Sequence, residues 1–157
     1  MSDRETLNAL LEPVIELVRA IDPSDPEAAA KLDAALPLDG EAMTKLRALV
    51  REGVEARWLA DREANGVRFS RVRKAADAGD VSIDCVHMNG PGPGHTHPNG
   101  EIDLCFPVSG EPAFDARGAG WIVYPPGSWH VPTVSGGVMD ILYFLPGGAI
   151  RFEPKPD

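Results

Sequence analysis

The sequence predicts a mainly β chain with an α-helical N-terminal segment, and three observations predict it. Residues 1–65 carry apolar side chains at three- and four-residue spacing, the period of a helix face. Residues 66–157 break into short segments rich in valine, isoleucine and aromatics, separated by glycine and proline. The change falls at Asn65-Gly66. Short strands at this spacing, over about ninety residues, fit an antiparallel sandwich or small barrel.

The elements follow in order. LNALLEPVIELVRAI puts Leu7, Leu10, Leu11, Val14, Leu17, Val18 and Ile21 on one helix face, with Pro13 expected to interrupt or kink it. Ser24-Asp25-Pro26-Glu27 reads as a helix start: a capping side chain, a proline in the first turn and an acid near the positive end of the dipole. That helix ends by Pro37, and Asp39 opens a third carrying Leu46, Leu49, Val50, Val54, Trp58 and Leu59. These stripes are expected to dock on the rest of the chain or on a second subunit. VRFSRVRKA, VSIDCVHM, EIDLCFPV, GWIVYPP and VMDILYFLP read as strands.

Bulk properties narrow the partners. The chain has 157 residues and a net charge of −9. A surface this acidic repels phosphate backbones, so nucleic acid and anionic membranes are poor partners. No apolar run approaches the ~18 residues of a membrane span, and MSDRETLNALLEP lacks the basic start and apolar stretch of a signal peptide. Cys85 and Cys105 lie in apolar alternating segments and read as free buried thiols in a reducing cytoplasm.

Only four histidines occur, and two of them stand in GPGHTHPNGEIDLCF. In an extended segment residues i and i+2 point to the same side, so His95 and His97 project together. A turn through Pro98-Asn99-Gly100 returns Glu101 towards them, and PPGSWHVP supplies His130. Three imidazoles and a carboxylate suit a divalent Fe, Mn, Ni, Co or Zn ion, without choosing among them.

The pattern G-x-H-x-H-x3-E followed by G-x4-P-x-G-x2-H resembles the two signature motifs of the cupin superfamily. The resemblance covers roughly residues 67 to 150 and implies a single cupin, a double-stranded β-helix or jelly-roll barrel, with His95, His97, Glu101 and His130 as metal ligands. Two loop lengths depart from the usual motifs. Gly110 stands nine residues after Glu101, and four residues separate Gly120 from Pro125. The domain expectation is a helical segment over residues 1–65 and the barrel over residues 66–157.

Three further residues are candidates for catalysis. His87 shares parity with Val81, Ile83 and Cys85, and if that set faces the barrel interior it is a general acid/base or substrate-holding group. Arg71 and Arg73 share a face with Val67 and Phe69, where an inward arginine clamps a carboxylate; the plainer reading is a charged edge strand. Asp103 shares parity with Glu101, either orienting a ligand imidazole or facing water at the rim. Trp121, Trp129 and Tyr143 are candidate aromatic walls.

A helical N-terminal segment followed by a single cupin with GHTHPNGEIDLCF is similar to the p-hydroxylaminobenzoate lyases of nitroaromatic degradation. That likeness implies a metal-dependent enzyme converting 4-hydroxylaminobenzoate to 3,4-dihydroxybenzoate with release of ammonia. It also implies a small aromatic substrate and a homodimer, while the cysteines and the missing signal-peptide pattern are what point to a cytoplasmic location. The other readings are a mononuclear iron dioxygenase acting on a small aromatic or thiol substrate, and a non-catalytic metal- or ligand-binding cupin.

Overall fold

Local sequence sets the three helices. The computed structural model describes residues 2–157. α1 (Asp3–Arg19) starts on a capping box in which the Ser2 hydroxyl accepts the Glu5 N–H and the Glu5 carboxylate accepts the Ser2 N–H. The helix passes through Pro13 as one element, where an interruption was expected. Pro13 sits on the exposed face, and buried Leu7, Leu11, Val14, Ile15 and Val18 flank it. Packing on both sides outweighs the one lost backbone hydrogen bond.

α2 (Ala28–Ala35) starts just after Ser24–Glu27. The Asp22 and Asp25 carboxylates accept the N–H groups of Ser24 and Glu27, so these acids shape a turn instead of capping the helix. α3 (Glu41–Glu55) follows, with Gly40 at its N-cap.

Nine strands come next: β1 (Arg62–Ala64), β2 (Val67–Arg73), β3 (Val81–Met88), β4 (His95–His97), β5 (Glu101–Phe114), β6 (Gly120–Tyr124), β7 (Ser128–His130), β8 (Val134–Pro146) and β9 (Arg151–Phe152). They form a six-stranded antiparallel sheet in the order β1-β2-β3-β8-β5-β6 and a three-stranded sheet in the order β7-β4-β9. This is the mainly β architecture with a helical N-terminal segment that the sequence predicts.

Asn65-Gly66 is a hairpin turn, not a boundary. Both residues have positive φ, 53° and 81°, and Ala64 pairs with Val67 across them. Residues 62–64 therefore belong to the sheet, and the expected 1–65 helical segment ends before them.

The two faces of the large sheet bury different things. Ile83 and Cys85 of β3, Ile102, Leu104 and Phe106 of β5, and Leu142 and Phe144 of β8 pack against the stripes of α1 and α3. Those stripes, left open by the sequence between barrel and partner, are thus spent on the chain's own sheet. Alternate residues, including Val86, Met88, Cys105, Ile122, Met139, Ile141 and Tyr143, form a second core on the inner face. The edge strand β6 is covered by α2: the Trp121 indole N–H donates to the Leu36 carbonyl at 3.0 Å. Cys85 and Cys105 are free and buried, one in each core, as expected.

Candidate metal centre

β4 and β7 are the short strands that carry the histidines. They pair so that His95 stands opposite His130, and Thr96 opposite Trp129. Two glycine turns fix them: the N–H groups of Gly100 and Gly127 both donate to the His97 carbonyl, at 3.2 and 2.7 Å. Gly100 takes φ 90°, the left-handed conformation the turn into β5 needs. Glu101, first residue of β5, thereby returns to the histidines.

One ligand atom from each of His95, His97, Glu101 and His130 lies within 4.8 Å of the others. Glu101 Oε1 is 3.1 Å from His95 Nε2, and Oε2 is 3.4 and 3.3 Å from the Nε2 atoms of His97 and His130. His95 and His130 present their Nε2 atoms to each other at 3.1 Å.

The outer nitrogens explain why every Nε2 points inward. His95 Nδ1 meets the Pro93 carbonyl at 3.1 Å. His97 Nδ1 meets Ser128 Oγ at 2.9 Å, and that hydroxyl spends its own hydrogen on the Pro125 carbonyl. His130 Nδ1 meets the Asp115 carboxylate. Each imidazole therefore carries its hydrogen on Nδ1, and three Nε2 lone pairs converge on a carboxylate. Such a cluster requires positive charge at its centre. His97 Nε2 and Glu101 Oε2 are buried without a hydrogen-bond partner, which a bound cation relieves. The donor set fits a divalent transition metal.

The electrostatics agree. Burial works against the Glu101 charge, yet the His130, His95 and His97 imidazoles hold its carboxyl well below the usual range. Burial also works against the His130 charge, but its bonds to Asp115 and Glu101 push it up to about 9, so with no cation in the cluster a proton on His130 Nε2 takes the place of that positive charge. Asp103 is fully buried behind Glu101, so the water-facing alternative does not hold. Burial, and then the charge of Glu101, push its carboxyl well above the usual range.

A cavity of about 470 Å³ opens beside this cluster, with His95 in its wall. Its lining is mostly apolar, with Val67, Phe69, Val86, Met88, Tyr143 and Phe152 among it, and Arg62, Arg71 and Asp84 are the charged exceptions. Arg71 donates through Nε to the Asp84 carboxylate.

The structure separates the three catalytic candidates. Arg71 reaches the cavity. Arg73 does not: a bulge between Arg71 and Arg73 turns it to the helix face, where it pairs with Glu12 of α1 at 3.0 Å. His87 also faces the helices. Its parity mates Ile83 and Cys85 lie in the helix-side core, and it bonds Asp140 at 2.8 Å, with Arg51 of α3 on the same carboxylate at 3.5 Å. The parity was read correctly, but the face it implies is the outer one. Trp121 is helix-side core, and Trp129 turns away from the ligands to donate to the Glu153 carbonyl. Asp115, Ser128, Asp84 and Arg62 were not foreseen. Asp115, Ser128 and Arg62 lie at a turn or in three-residue strands too short to show a period, whereas Asp84 lies within the eight-residue β3.

A family model described as 4-hydroxylaminobenzoate lyase (PnbB) matches residues 10–152. A 4-hydroxylaminobenzoate lyase from Nocardioides sp. (strain LMS-CY) is 33% identical over 123 residues, covering 71% of this chain and 73% of that one. One from Pseudomonas putida is 32% identical over 135 residues, covering 73% and 76%. Among solved structures, a double-stranded β-helix protein from Klebsiella pneumoniae has a TM-score of 0.44 at 20% identity, over 60% of this chain and 90% of that one. An oxalate oxidase in complex with the substrate analogue glycolate has a TM-score of 0.42 at 20% identity, over 57% of this chain and 56% of that one. The chain belongs to the 4-hydroxylaminobenzoate lyase family, a family of enzymes.

Proposed function

We propose that this member of the 4-hydroxylaminobenzoate lyase family is a metal-dependent enzyme that converts 4-hydroxylaminobenzoate and water to 3,4-dihydroxybenzoate and ammonia. The observation that carries the reading is the apolar cavity with His95 of the ligand cluster in its wall and arginines among its lining. An aromatic ring suits the apolar lining, and a carboxylate suits an arginine.

The reaction balances without an oxidant. Cleaving the N–O bond takes up two electrons at nitrogen, and placing oxygen on the neighbouring ring carbon releases two. Hydrolysis of the carbon–nitrogen bond then frees ammonia. A divalent metal held by His95, His97, Glu101 and His130 supplies Lewis acidity to an oxygen of substrate or water. The protein's own part is to exclude bulk water, to set the imidazoles through Pro93, Ser128 and Asp115, and to hold the substrate.

Arg71 is the carboxylate-binding residue in this proposal, with Arg62 beside it among the lining residues. Both are exposed, as cations at a cavity mouth are. Asp84 holds Arg71 by Nε and leaves its terminal nitrogens for the substrate. Neither His87 nor Arg73 has a role at the reacting atoms.

A cytoplasmic homodimer completes the proposal. Among the described residues, no helix is long and apolar enough to cross a membrane. Light scattering reads that oligomeric state directly.

The test is anaerobic incubation of metal-loaded protein with 4-hydroxylaminobenzoate, following ammonia and catechol together. Equal release of both under nitrogen is the expected result. Turnover that needs O2 would overturn the lyase reading in favour of a dioxygenase.

A further inference from the structure

Tyr143 projects from β8 into the inner core, and its side chain lines the cavity beside His95, with ring centroids 6.5 Å apart. The residue is 6% exposed. A buried tyrosine hydroxyl ordinarily finds a strong acceptor, because an unpaired buried donor is costly. Here its partner is the Met88 sulfur at 3.6 Å, a weak acceptor. Met88 lines the same cavity, so the hydroxyl stands at the cavity wall. Of the acidic groups nearby, Asp103 stands across the sheet from Tyr143 but makes no hydrogen bond to it, and the others are engaged. Asp115 is shared by His130, Tyr124 and the Thr133 N–H, and Asp84 is held by Arg71.

We infer that Tyr143 is the residue that reads the nitrogen-bound oxygen of the substrate, by donating its O–H to it. The inference rests on the proposed lyase reading and adds a specificity element to it. With the ring in the apolar lining and the carboxylate at the arginines, the substituent at the far end of the ring lies towards His95. An oxygen there gives the phenol the acceptor that Met88 does not. An amine in its place leaves the donor as poorly paired as before, so the hydroxyl discriminates hydroxylamino from amino compounds. It also separates substrate from the nitrogen released.

Phenylalanine keeps the ring that packs against His95 and Phe114 and removes only the donor. The test compares metal-loaded wild type with Tyr143→Phe by calorimetric binding of two unreactive ligands, 4-nitrobenzoate and 4-aminobenzoate. The first carries oxygen on nitrogen and the second does not. The expected result is that the variant binds 4-nitrobenzoate about tenfold more weakly, the weight of one hydrogen bond, with 4-aminobenzoate unchanged. Activity on 4-hydroxylaminobenzoate falls in the same variant while its metal content stays at the wild-type value. Equal weakening of both ligands, or no weakening of either, overturns the assignment. If wild type turns over 4-hydroxylaminobenzoate and the variant keeps the wild-type ligand ratio, Tyr143 falls and the lyase reading stands. If wild type gives no turnover, the reading falls and the inference with it.

Discussion

The two faces of the six-stranded sheet are made by alternate residues of the same strands, yet they do opposite work. Along β5, Ile102, Leu104 and Phe106 point to the helices, while Glu101, Asp103 and Cys105 point inward. The outer face buries hydrocarbon against α1 and α3, which stabilises at about 25 cal/mol per Å². The inner face buries Glu101 and Asp103, acids two residues apart, and the Glu101 charge costs stability unless a cation offsets it. The helix layer therefore stabilises a sheet whose other face is arranged for binding. Catalytic geometry and folding free energy are separated by the thickness of one strand.

That separation can be broken most sharply at the ligands. His97→Ala is expected to reduce bound metal by at least about tenfold and to abolish turnover, while leaving the fold largely intact. Metal analysis beside far-UV circular dichroism checks it, and full metal occupancy would remove the basis of the site. On the opposite face, Leu46→Ala empties a fully buried position in the helix-side core. It is expected to cost about 2–5 kcal/mol in denaturant unfolding. Metal stoichiometry in the surviving folded fraction should not change, and a change would show that the faces are not independent.

Removing the metal with a chelator tests the inner face alone. It is expected to lower the Tm, because the buried Glu101 loses the cation that offsets it. Re-addition should restore the Tm in wild type but not in His97→Ala. Arg71→Gln is a smaller change: the KM for the aromatic acid should rise about tenfold, as for one lost charged hydrogen bond, with metal binding unaltered. His87→Gln is the smallest. It loosens the contact to Asp140 on the helix side and is expected to cost about 1 kcal/mol of stability with kcat unchanged. A collapse in kcat would contradict the face on which His87 stands.

Much of this was legible in the sequence. The helix stripes gave the N-terminal layer, and the spacing of His95, His97, Glu101 and His130 marked a cluster that the fold brings together. The side on which His87 stands was not legible, for a physical reason. VSIDCVHM is covered on both faces, so both of its alternating residue sets are largely buried, and parity cannot tell helix side from cavity side. Arg73 was misread because a bulge resets the alternation after Arg71, and nothing in VRFSRVRKA announces it. Asn65-Gly66 was seen as a change of character, yet the same dipeptide is a strong hairpin signal, and recognising it would have recovered β1 and Arg62. Asp115 orients His130 from a turn fifteen residues earlier in the chain, a relation that only the folded hairpin creates.

The last strand carries a consequence for how the protein is made. β4 has two neighbours, β7 and β9, and β9 is formed by Arg151–Phe152. Glu153 then ties the strand down, accepting from the Thr96 hydroxyl and from the Trp129 indole. During synthesis the strand bearing His95 and His97 stays half-paired until residues 151–153 have left the ribosome. The ligand cluster is therefore fully framed only once the segment that pairs with β4 on its second side has emerged.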